Sequence, residues 1–176
     1  MERQSDVERI IKYRFTRPQL FEEAFEAAGV SEVNKGVTGQ RHGNKRLALV
    51  GDALIRLAIL DRWFPSGAST EEGNNLVSDL ASNNALKNVV EQDGLAKFVV
   101  KNPCQKGKPQ RTTLASTTEA IVGAVWYDCG KDFETSMGTG HCGFTEAQVW
   151  FKAKLSIYSA LLKMHCIRGL SPQDVS

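Results

Sequence analysis

The chain has 176 residues, a length that fits one domain and lets folding bury about 70 % of the unfolded chain's surface. Its composition is 41 % hydrophobic and 24 % charged with only 5 prolines, which excludes disordered, collagen-like and low-complexity classes. The net charge of +2, from 22 Lys and Arg against 20 Asp and Glu, does not by itself indicate a nucleic-acid-binding protein. A local basic patch remains compatible with that balance.

The sequence carries no recognisable membrane span or secretory signal. Charges interrupt every apolar run well before the roughly 20 residues that a membrane span needs. The polar start Met1–Gln4 lacks the apolar segment of a signal peptide, and the early acids Asp6 and Glu8 are atypical of a transit peptide. We therefore expect an intracellular protein without membrane partners, whether cytoplasmic, nuclear or mitochondrial.

The cysteines do not have the spacing of a metal site. None lies in a CxxC pair, and without a secretory signal free thiols are expected. The adjacent pairs His141–Cys142 and His165–Cys166 are poor zinc sites, because neighbouring residues rarely face the same ion. The four cysteines are Cys104, Cys129, Cys142 and Cys166.

Two short helices are predicted near the N-terminus. Ser5-x-x-Glu8 has the form of a capping box, which predicts that an amphipathic helix begins there. A second helix is predicted from near Thr16, with an end at Gly29. The Gly-, Ser- and Asn-containing stretch 30–43 is predicted to be a loop.

A long, largely buried helix is predicted from Asn44 to just before Pro65. Apolar residues recur there at intervals of three and four, namely Leu47, Val50, Ala53, Leu54, Leu57, Ala58 and Leu60. No strand is predicted, because Phe98–Val100 is too short to count. Further helices are predicted at about 70–79, 79–93, 112–128 and 145–164, with a Gly-rich loop over 131–143. We therefore predict one all-α domain over residues 1–176, with a core of about 6–165 and a tail over 166–176.

Two carboxylates interrupt apolar helices and call for an explanation. Asp52 and Glu119 each lie among apolar residues, and an isolated buried charge is costly. Small neighbours, Gly51 and Ala120, would let the two helices approach closely enough to bring these carboxylates together. Periodicity alone leaves the other interpretation open, and favours it: both carboxylates are solvated.

Two segments resemble the motifs of the ribonuclease III family. Residues 44–54 read NKRLALVGDAL and resemble the family signature N-E-R-L-E-F-L-G-D-A-V. Residues 113–130 read TLASTTEAIVGAVWYDCG and resemble the second motif, L-A-D-x-x-E-A-x-I-G-A-x-Y-x-D-x-G. Two long motifs in the right order are more specific than one short pattern, and the resemblance covers about residues 6–165.

The resemblance implies an all-α endonuclease fold that dimerises and cuts double-stranded RNA with magnesium. The family's metal site takes four carboxylates, an E-x-x-x-D pair from the first motif and a D-x-x-E pair from the second. Residues spaced by three or four share one helix face, so two facing helices surround a hard cation with oxygen ligands. That cation would polarise the phosphate and activate a water.

This chain keeps half of that carboxylate set. Asp52 matches the signature Asp and Glu119 matches the Glu of the second motif, whereas the other two positions hold Ala48 and Ser116. Lys45 replaces a further glutamate that lies outside the metal shell. We therefore expect Mg²⁺ to bind weakly or not at all, and cleavage to be reduced by about 10³-fold or more.

A rearranged active centre would need other carboxylates. The candidates are Glu22, Glu23, Asp79 and Asp128. Nothing in their spacing singles any of them out, and each is expected to be a solvated charge on a helix face or end.

Dimerisation is implied by the resemblance, although its usual anchor is altered. Leu49 stands where the family often has an aromatic residue that engages the partner subunit, and Ala24–Ala27 lacks the histidine of the family's A-L-T-H segment. An exposed apolar patch on the signature helix would support a dimer, whereas burial of that helix within one subunit would not.

RNA contacts are expected from this domain alone, because the chain ends at Ser176, before the double-stranded RNA-binding domain that many family members append. Two basic clusters are candidates for phosphate contacts, with solvated loop charge as the alternative for each. They are Arg41, His42, Lys45 and Arg46, and Lys101, Lys106, Lys108 and Arg111.

Three functions follow from these observations. The favoured one is a catalytically impaired ribonuclease III-like protein that binds structured or double-stranded RNA, as do fungal mitochondrial ribosomal proteins that use this fold without cleavage. The second is an active endonuclease that uses Asp52 and Glu119. The third is a dimerisation scaffold, as a homodimer or as a heterodimer with an active relative.

Overall fold

The computed structural model describes residues 2–30 and 43–131, and these form an all-helical structure, as predicted. Within these ranges no strand forms, and the sole β-type pairing is an isolated parallel bridge between Glu26 and Val100. Short 3₁₀ turns lie at Phe64–Ser66 and Leu95–Phe98. The α-helices are α1 (Glu2–Ile11), α2 (Pro18–Phe25), α3 (Lys45–Trp63), α4 (Thr70–Leu80), α5 (Asn83–Gln92) and α6 (Arg111–Asp128).

Helix α6 is the centre of the described core. No residue from Leu114 to Val125 is exposed, because α2, α3 and α5 all pack against this helix. A helix that is apolar on every side is stable only when it is surrounded in this way. The two motif-bearing helices, α3 and α6, form the most extensive helix pair in the described structure.

The crossing of α3 and α6 is a backbone-to-backbone contact. A Cβ added to Gly51 would lie 1.8 Å from the carbonyl oxygen of Glu119, and one added to Gly123 would lie 2.3 Å from that of Leu47. Both distances are far below any real carbon–oxygen contact, so only glycine fits at either position. The predicted close approach at Gly51 is confirmed. The residue reasoning had missed Gly123, which is the glycine of the second motif.

The predicted cap at Ser5 is wrong, and so is the predicted end of the second helix at Gly29. Helix α1 begins at Glu2, so Ser5 lies inside it, and the Glu8 carboxylate accepts a hydrogen bond from the backbone N–H of Phe15 at 3.0 Å. Helix α2 begins at Pro18 without a side-chain cap and ends at Phe25 rather than at Gly29. It ends early because Glu26 turns into extended backbone to pair with Val100.

The later helices lie close to their predicted positions. The long helix α3 ends before Pro65, as predicted. Helices α4 and α5 do not run on into one another, because the Ser82 hydroxyl caps α5 by accepting from the N–H of Ala85 at 3.2 Å. The predicted helix over 145–164 and the tail lie outside the described residues, as do almost all of the loops predicted over 30–43 and 131–143.

Neither a membrane-spanning helix nor a disulfide-bonded cysteine occurs in the part of the chain that the structure describes. None of the described helices is both long enough and apolar enough to cross a bilayer. Neither Cys104 nor Cys129 forms a disulfide among the described residues, and the Cys129 thiol donates to the carbonyl of Trp126 at 3.5 Å. Cys142 and Cys166, with their neighbouring histidines, lie outside the described residues.

Candidate functional site

The close helix crossing brings the two motif carboxylates into one electrostatic environment. Gly51 contacts the backbone of Glu119, and Asp52 follows Gly51 on α3. Both residues are partly buried, and the charge on Asp52 acts on Glu119. The crossing therefore produces a paired-carboxylate environment, rather than two separately solvated side chains.

The Glu119 carboxylate has fewer hydrogen-bond partners among the described residues than the Asp52 carboxylate. No hydrogen bond to its carboxylate occurs within residues 2–30 and 43–131. Burial, followed by the negative charge of Asp52, raises the pKa of Glu119 to about 7, while the positive charges of Lys45 and Arg56 oppose that rise. Glu119 is thus a carboxylate whose negative charge the site destabilises near neutral pH.

Asp52 is held by a cation from its own helix. The Arg56 Nε donates to both carboxylate oxygens of Asp52, at 2.9 and 2.8 Å, across one turn of α3. This pairing also raises the pKa of the Arg56 guanidinium. The sequence analysis did not single out Arg56, although its position four residues after Asp52 is the ordinary spacing of a helical ion pair.

The two altered positions face the same crossing. Ala48 is buried and offers no ligand atom, and Ser116 is only 8 % exposed. The Lys45 Nζ reaches across from the first turn of α3 and donates to the Ser116 Oγ at 2.8 Å. The ammonium of Lys45, an exposed residue, therefore contacts the α6 side of the crossing.

Comparison with known proteins bears directly on these two helices. Residues 45–130, a segment that contains the whole of α3 and α6, match the family described as Ribonuclease III domain. The chain belongs to the ribonuclease III domain family.

Individual relatives agree with this assignment. The chain is 31 % identical over 132 residues to Ribonuclease 3 of Wolbachia sp. subsp. Brugia malayi. The aligned residues make up 70 % of this chain and 52 % of that protein. It is 27 % identical over 175 residues to Ribonuclease 3 of Caenorhabditis briggsae. This alignment covers 94 % of this chain and 16 % of that protein. The chain thus spans about half the length, or less, of these relatives.

A solved structure has the same fold. The nuclease domain of ribonuclease III from Campylobacter jejuni matches with a TM-score of 0.68 and 18 % sequence identity, covering 86 % of this chain and 97 % of that chain. The all-helical architecture described above is therefore the fold of a ribonuclease III nuclease domain.

The residues of this ribonuclease III domain do not fit the divalent metal ion that the family's motifs imply. Mg²⁺ requires oxygen ligands in near-octahedral geometry, and carboxylates supply the negative charge that replaces its hydration shell. Among the described residues only Asp52 and Glu119 bring carboxylates to the crossing, and the positive charges of Lys45 and Arg56 act against theirs. No group of three or more His, Cys, Asp or Glu residues suited to a metal ion occurs in the part of the chain that the structure describes.

The alternative carboxylates do not complete the ribonuclease III site. Glu22 is exposed and pairs with Arg3, and Asp79 is exposed, as expected for solvated charges. The expectation is wrong for Glu23, which is buried, and for Asp128, whose side chain is fully buried.

Asp128 is a structural residue that connects the end of α6 to the turn between α1 and α2. Its carboxylate accepts hydrogen bonds from the Tyr13 hydroxyl at 2.7 Å, the Thr16 N–H at 2.9 Å and the Arg17 N–H at 2.8 Å. Burial alone would raise the pKa of Asp128, but these donors outweigh burial and lower it. Sequence reasoning missed this role because the donors lie more than 110 residues away.

The structure describes the second of the two basic clusters and part of the first. Arg41 and His42 lie outside the described residues, whereas Arg46 is exposed at the start of α3. In the second cluster, Lys101 donates to the carbonyl of Gly107 at 2.7 Å and Arg111 donates to the Asn84 side chain at 3.3 Å. The exposed basic side chains of this second cluster are Lys101, Lys106, Lys108 and Arg111.

One face of α3 is apolar and uncovered in the described structure. Leu49 is 75 % exposed and Phe64, just after the helix, is 78 % exposed. Leu57 and Leu60 lie between them and are also exposed. Leu49, Leu57, Leu60 and Phe64 follow helical spacing, and we call them the α3 apolar face. This is the exposed patch whose presence the sequence analysis named as support for a dimer.

Proposed function

We propose that this ribonuclease III domain binds structured, double-stranded RNA as a homodimer and does not cleave it efficiently. The observation that carries the proposal is the composition of the helix crossing. Ala48 and Ser116 stand at two of the four carboxylate positions of the motifs, and cations accompany the remaining two carboxylates.

Loss of the metal site is the reason to expect little cleavage. Even changes around metal ligands typically cost about 10–100-fold in affinity or activity. Loss of two anionic ligands should cost more, about 10³-fold or more in rate, which corresponds to roughly 4 kcal/mol of transition-state stabilisation. Mg²⁺ is accordingly proposed to bind weakly or not at all.

RNA binding is supported by the position of the basic residues. Arg111 opens α6 five residues before Ser116, about 7.5 Å along the helix axis. Because Lys45 donates to Ser116, the exposed cations at the starts of α3 and α6 lie on neighbouring parts of the domain. Such cations contact phosphates rather than bases, so binding should depend on A-form shape and weaken with salt.

Dimerisation is supported by the α3 apolar face. Large contiguous apolar patches are uncommon on monomers and mark interaction surfaces. The Campylobacter jejuni structure is described as having a region involved in dimer formation of its nuclease domain. We propose that a second copy of this chain covers the α3 apolar face.

A cleavage assay tests the catalytic part of the proposal. The full chain is incubated with long double-stranded RNA and Mg²⁺, then Mn²⁺, beside Asp52→Asn and Glu119→Gln. We expect no cleavage, or only traces that neither variant changes. Cleavage that both variants abolish would overturn this part and establish the second candidate, an active endonuclease, which the proximity of Asp52 and Glu119 favours.

RNA retention on the same substrate tests the binding part. We expect salt-sensitive binding that is weakened by Lys106→Glu with Lys108→Glu. Lys97→Glu is a control for a Lys-to-Glu change elsewhere, with half the change in net charge, since Lys97 is an exposed lysine outside both clusters. Absence of RNA binding would leave the dimerisation scaffold as the better function.

Sedimentation equilibrium tests the dimer. We expect the wild-type chain to dimerise and Leu49→Asp with Leu57→Asp to be monomeric. Val100→Asp is the control, because Val100 is an exposed apolar residue away from the α3 apolar face. A monomeric wild-type chain at tens of micromolar would contradict the proposal.

A further inference from the structure

Lys45 is held in position by the residue that precedes it. Asn44 is buried, and its side-chain amide donates to the carbonyl of Ala24 at 3.2 Å and to the Thr117 hydroxyl at 3.4 Å. Its backbone N–H donates to the carbonyl of Glu26 at 2.8 Å. The first turn of α3 is thereby attached to α2 and α6, which fixes where the Lys45 side chain starts.

From that start, Lys45 reaches into the crossing. Its ammonium donates to the hydroxyl of Ser116, which is almost fully buried and stands at a carboxylate position of the second motif. The neighbouring Arg46 is exposed and makes no hydrogen bond to the described part of the chain. Lys45 is also exposed as a residue, and the two adjacent cations differ in that the Lys45 ammonium donates to Ser116 at the crossing.

The charges at the crossing are internally balanced. Arg56 holds Asp52, and the positive charge of Lys45 favours the ionised form of Glu119. A divalent ion entering this site would meet two carboxylates and two fixed cations. Like charges at a shared site repel, and water screens part of that repulsion because Lys45 and Arg56 are both exposed.

We propose that the Lys45 ammonium is a built-in cation that takes the place of the divalent metal ion in this domain. Lys45 itself then excludes the metal, in addition to the loss of two carboxylates. This inference rests on the degenerate metal site argued under the proposed function. Its specific consequence is that restoring the carboxylates is insufficient while Lys45 remains, because the ammonium would pair with them.

The test measures Mn²⁺ binding, with Mn²⁺ alone as the probe, by electron paramagnetic resonance of the free ion. Four full-length chains are compared. They are the wild type, Ala48→Glu with Ser116→Asp, that pair plus Lys45→Met, and that pair plus Arg62→Met. Arg62 is an exposed cation at the other end of α3, so its substitution matches the change in net charge without touching the crossing.

We expect no saturable Mn²⁺ binding by the wild type and weak binding by the carboxylate pair. Adding Lys45→Met should tighten binding by about 10-fold or more, the size of effect that groups around a metal typically have. Adding Arg62→Met should leave the affinity of the pair unchanged. Equal effects of Lys45→Met and Arg62→Met would overturn the inference alone, whereas tight binding by the wild type would overturn the proposed loss of the metal site as well.

A second measurement does not depend on the folding of multiple variants. In the wild-type chain, the Lys45 ammonium should give a resolved ¹⁵N NMR signal, because its hydrogen bond to Ser116 slows exchange with water. Ser116→Ala should abolish that signal. A Lys45 ammonium that exchanges as fast as an exposed lysine in the wild type would overturn the inference.

Discussion

The middle and the C-terminal end of α6 hold two carboxylates in opposite environments. Glu119, at the crossing with α3, receives no hydrogen bond from the described residues, and burial raises its pKa to about 7. Asp128, at the end of the same helix, accepts hydrogen bonds from three residues, and its pKa is lowered. The second motif contains both acids. One is a site residue that destabilises the fold when ionised, and the other stabilises the fold in its ionised form.

The crossing is held together by shape rather than by its carboxylates. Glycines at positions 51 and 123 let the backbones of α3 and α6 touch, and this contact remains although Ala48 and Ser116 have replaced two acids. The far end of α6 depends instead on hydrogen bonds to the turn around Thr16. Packing at the crossing and the chemistry of its carboxylates therefore rest on different residues.

The largest expected effect comes from Gly51→Ala. Its Cβ would lie 1.8 Å from the Glu119 carbonyl oxygen, and a helix backbone cannot move aside as a flexible side chain can. We expect the free energy of unfolding to fall by about 3 kcal/mol or more, measured by urea denaturation. Gly123→Ala should act in the same direction. A Gly51→Ala chain as stable as the wild type would show that the crossing is not a backbone contact.

Removal of the Asp128 carboxylate should be the next largest effect. Asp128→Ala leaves the hydroxyl of Tyr13 and the N–H groups of Thr16 and Arg17 without their acceptor. We expect a loss of about 2–3 kcal/mol in the free energy of unfolding. Asp79→Ala is the control, because Asp79 is exposed on α4 and should change stability by less than about 0.5 kcal/mol. Similar losses for both variants would contradict a special role for Asp128.

The pH dependence of stability further distinguishes Asp128, at the end of α6, from Glu119, at its middle. Because the pKa of Asp128 is lowered in the folded chain, its contribution is present above its ordinary value of 3.8 and is lost as pH falls through the lower folded value. We expect the melting temperature of the wild type to fall below about pH 4. The Asp128→Ala chain should lose less stability over that range. Parallel curves for the two proteins would exclude this contribution.

Glu119→Gln should have the smallest effect, and the opposite sign. The pKa of Glu119 is raised from 4.5 to about 7, so its contribution to stability is present below pH 4.5 and is lost as pH rises through 7. We expect Glu119→Gln to stabilise the chain at pH 8 by about 1 kcal/mol, a figure reduced for its partial exposure to solvent, and by little at pH 4. A variant that is equally stabilised at both pH values would contradict this assignment.

The spacing of a capping box predicted the wrong start for α1. Ser5 and Glu8 have capping-box spacing, yet Glu8 accepts from Phe15 and α1 begins earlier, at Glu2. The real capping box lies at Ser69, whose hydroxyl accepts from the N–H of Glu72 at 3.2 Å. Spacing identifies where a cap is feasible, but the neighbouring chain decides whether the helix begins there.

The sequence by itself determined the helical class, the order of the helices and the two motif positions that lack carboxylates. These properties depend on residue identity and on a period of three to four along one chain segment. They could be predicted because the backbone hydrogen bonds and the buried face of a helix both involve residues that are close together along the chain. The family follows from the same short-range information, through the two motifs.

Only the tertiary structure decided which charges meet. The contact of Lys45 with Ser116 spans 71 residues, and that of Thr16 with Asp128 spans 112. Such contacts depend on how closely two helices cross and on which side chains fit at the crossing. The spacing of apolar residues along one segment carries no information about either. The direction of Lys45 and the burial of Asp128 are therefore properties of the packed molecule.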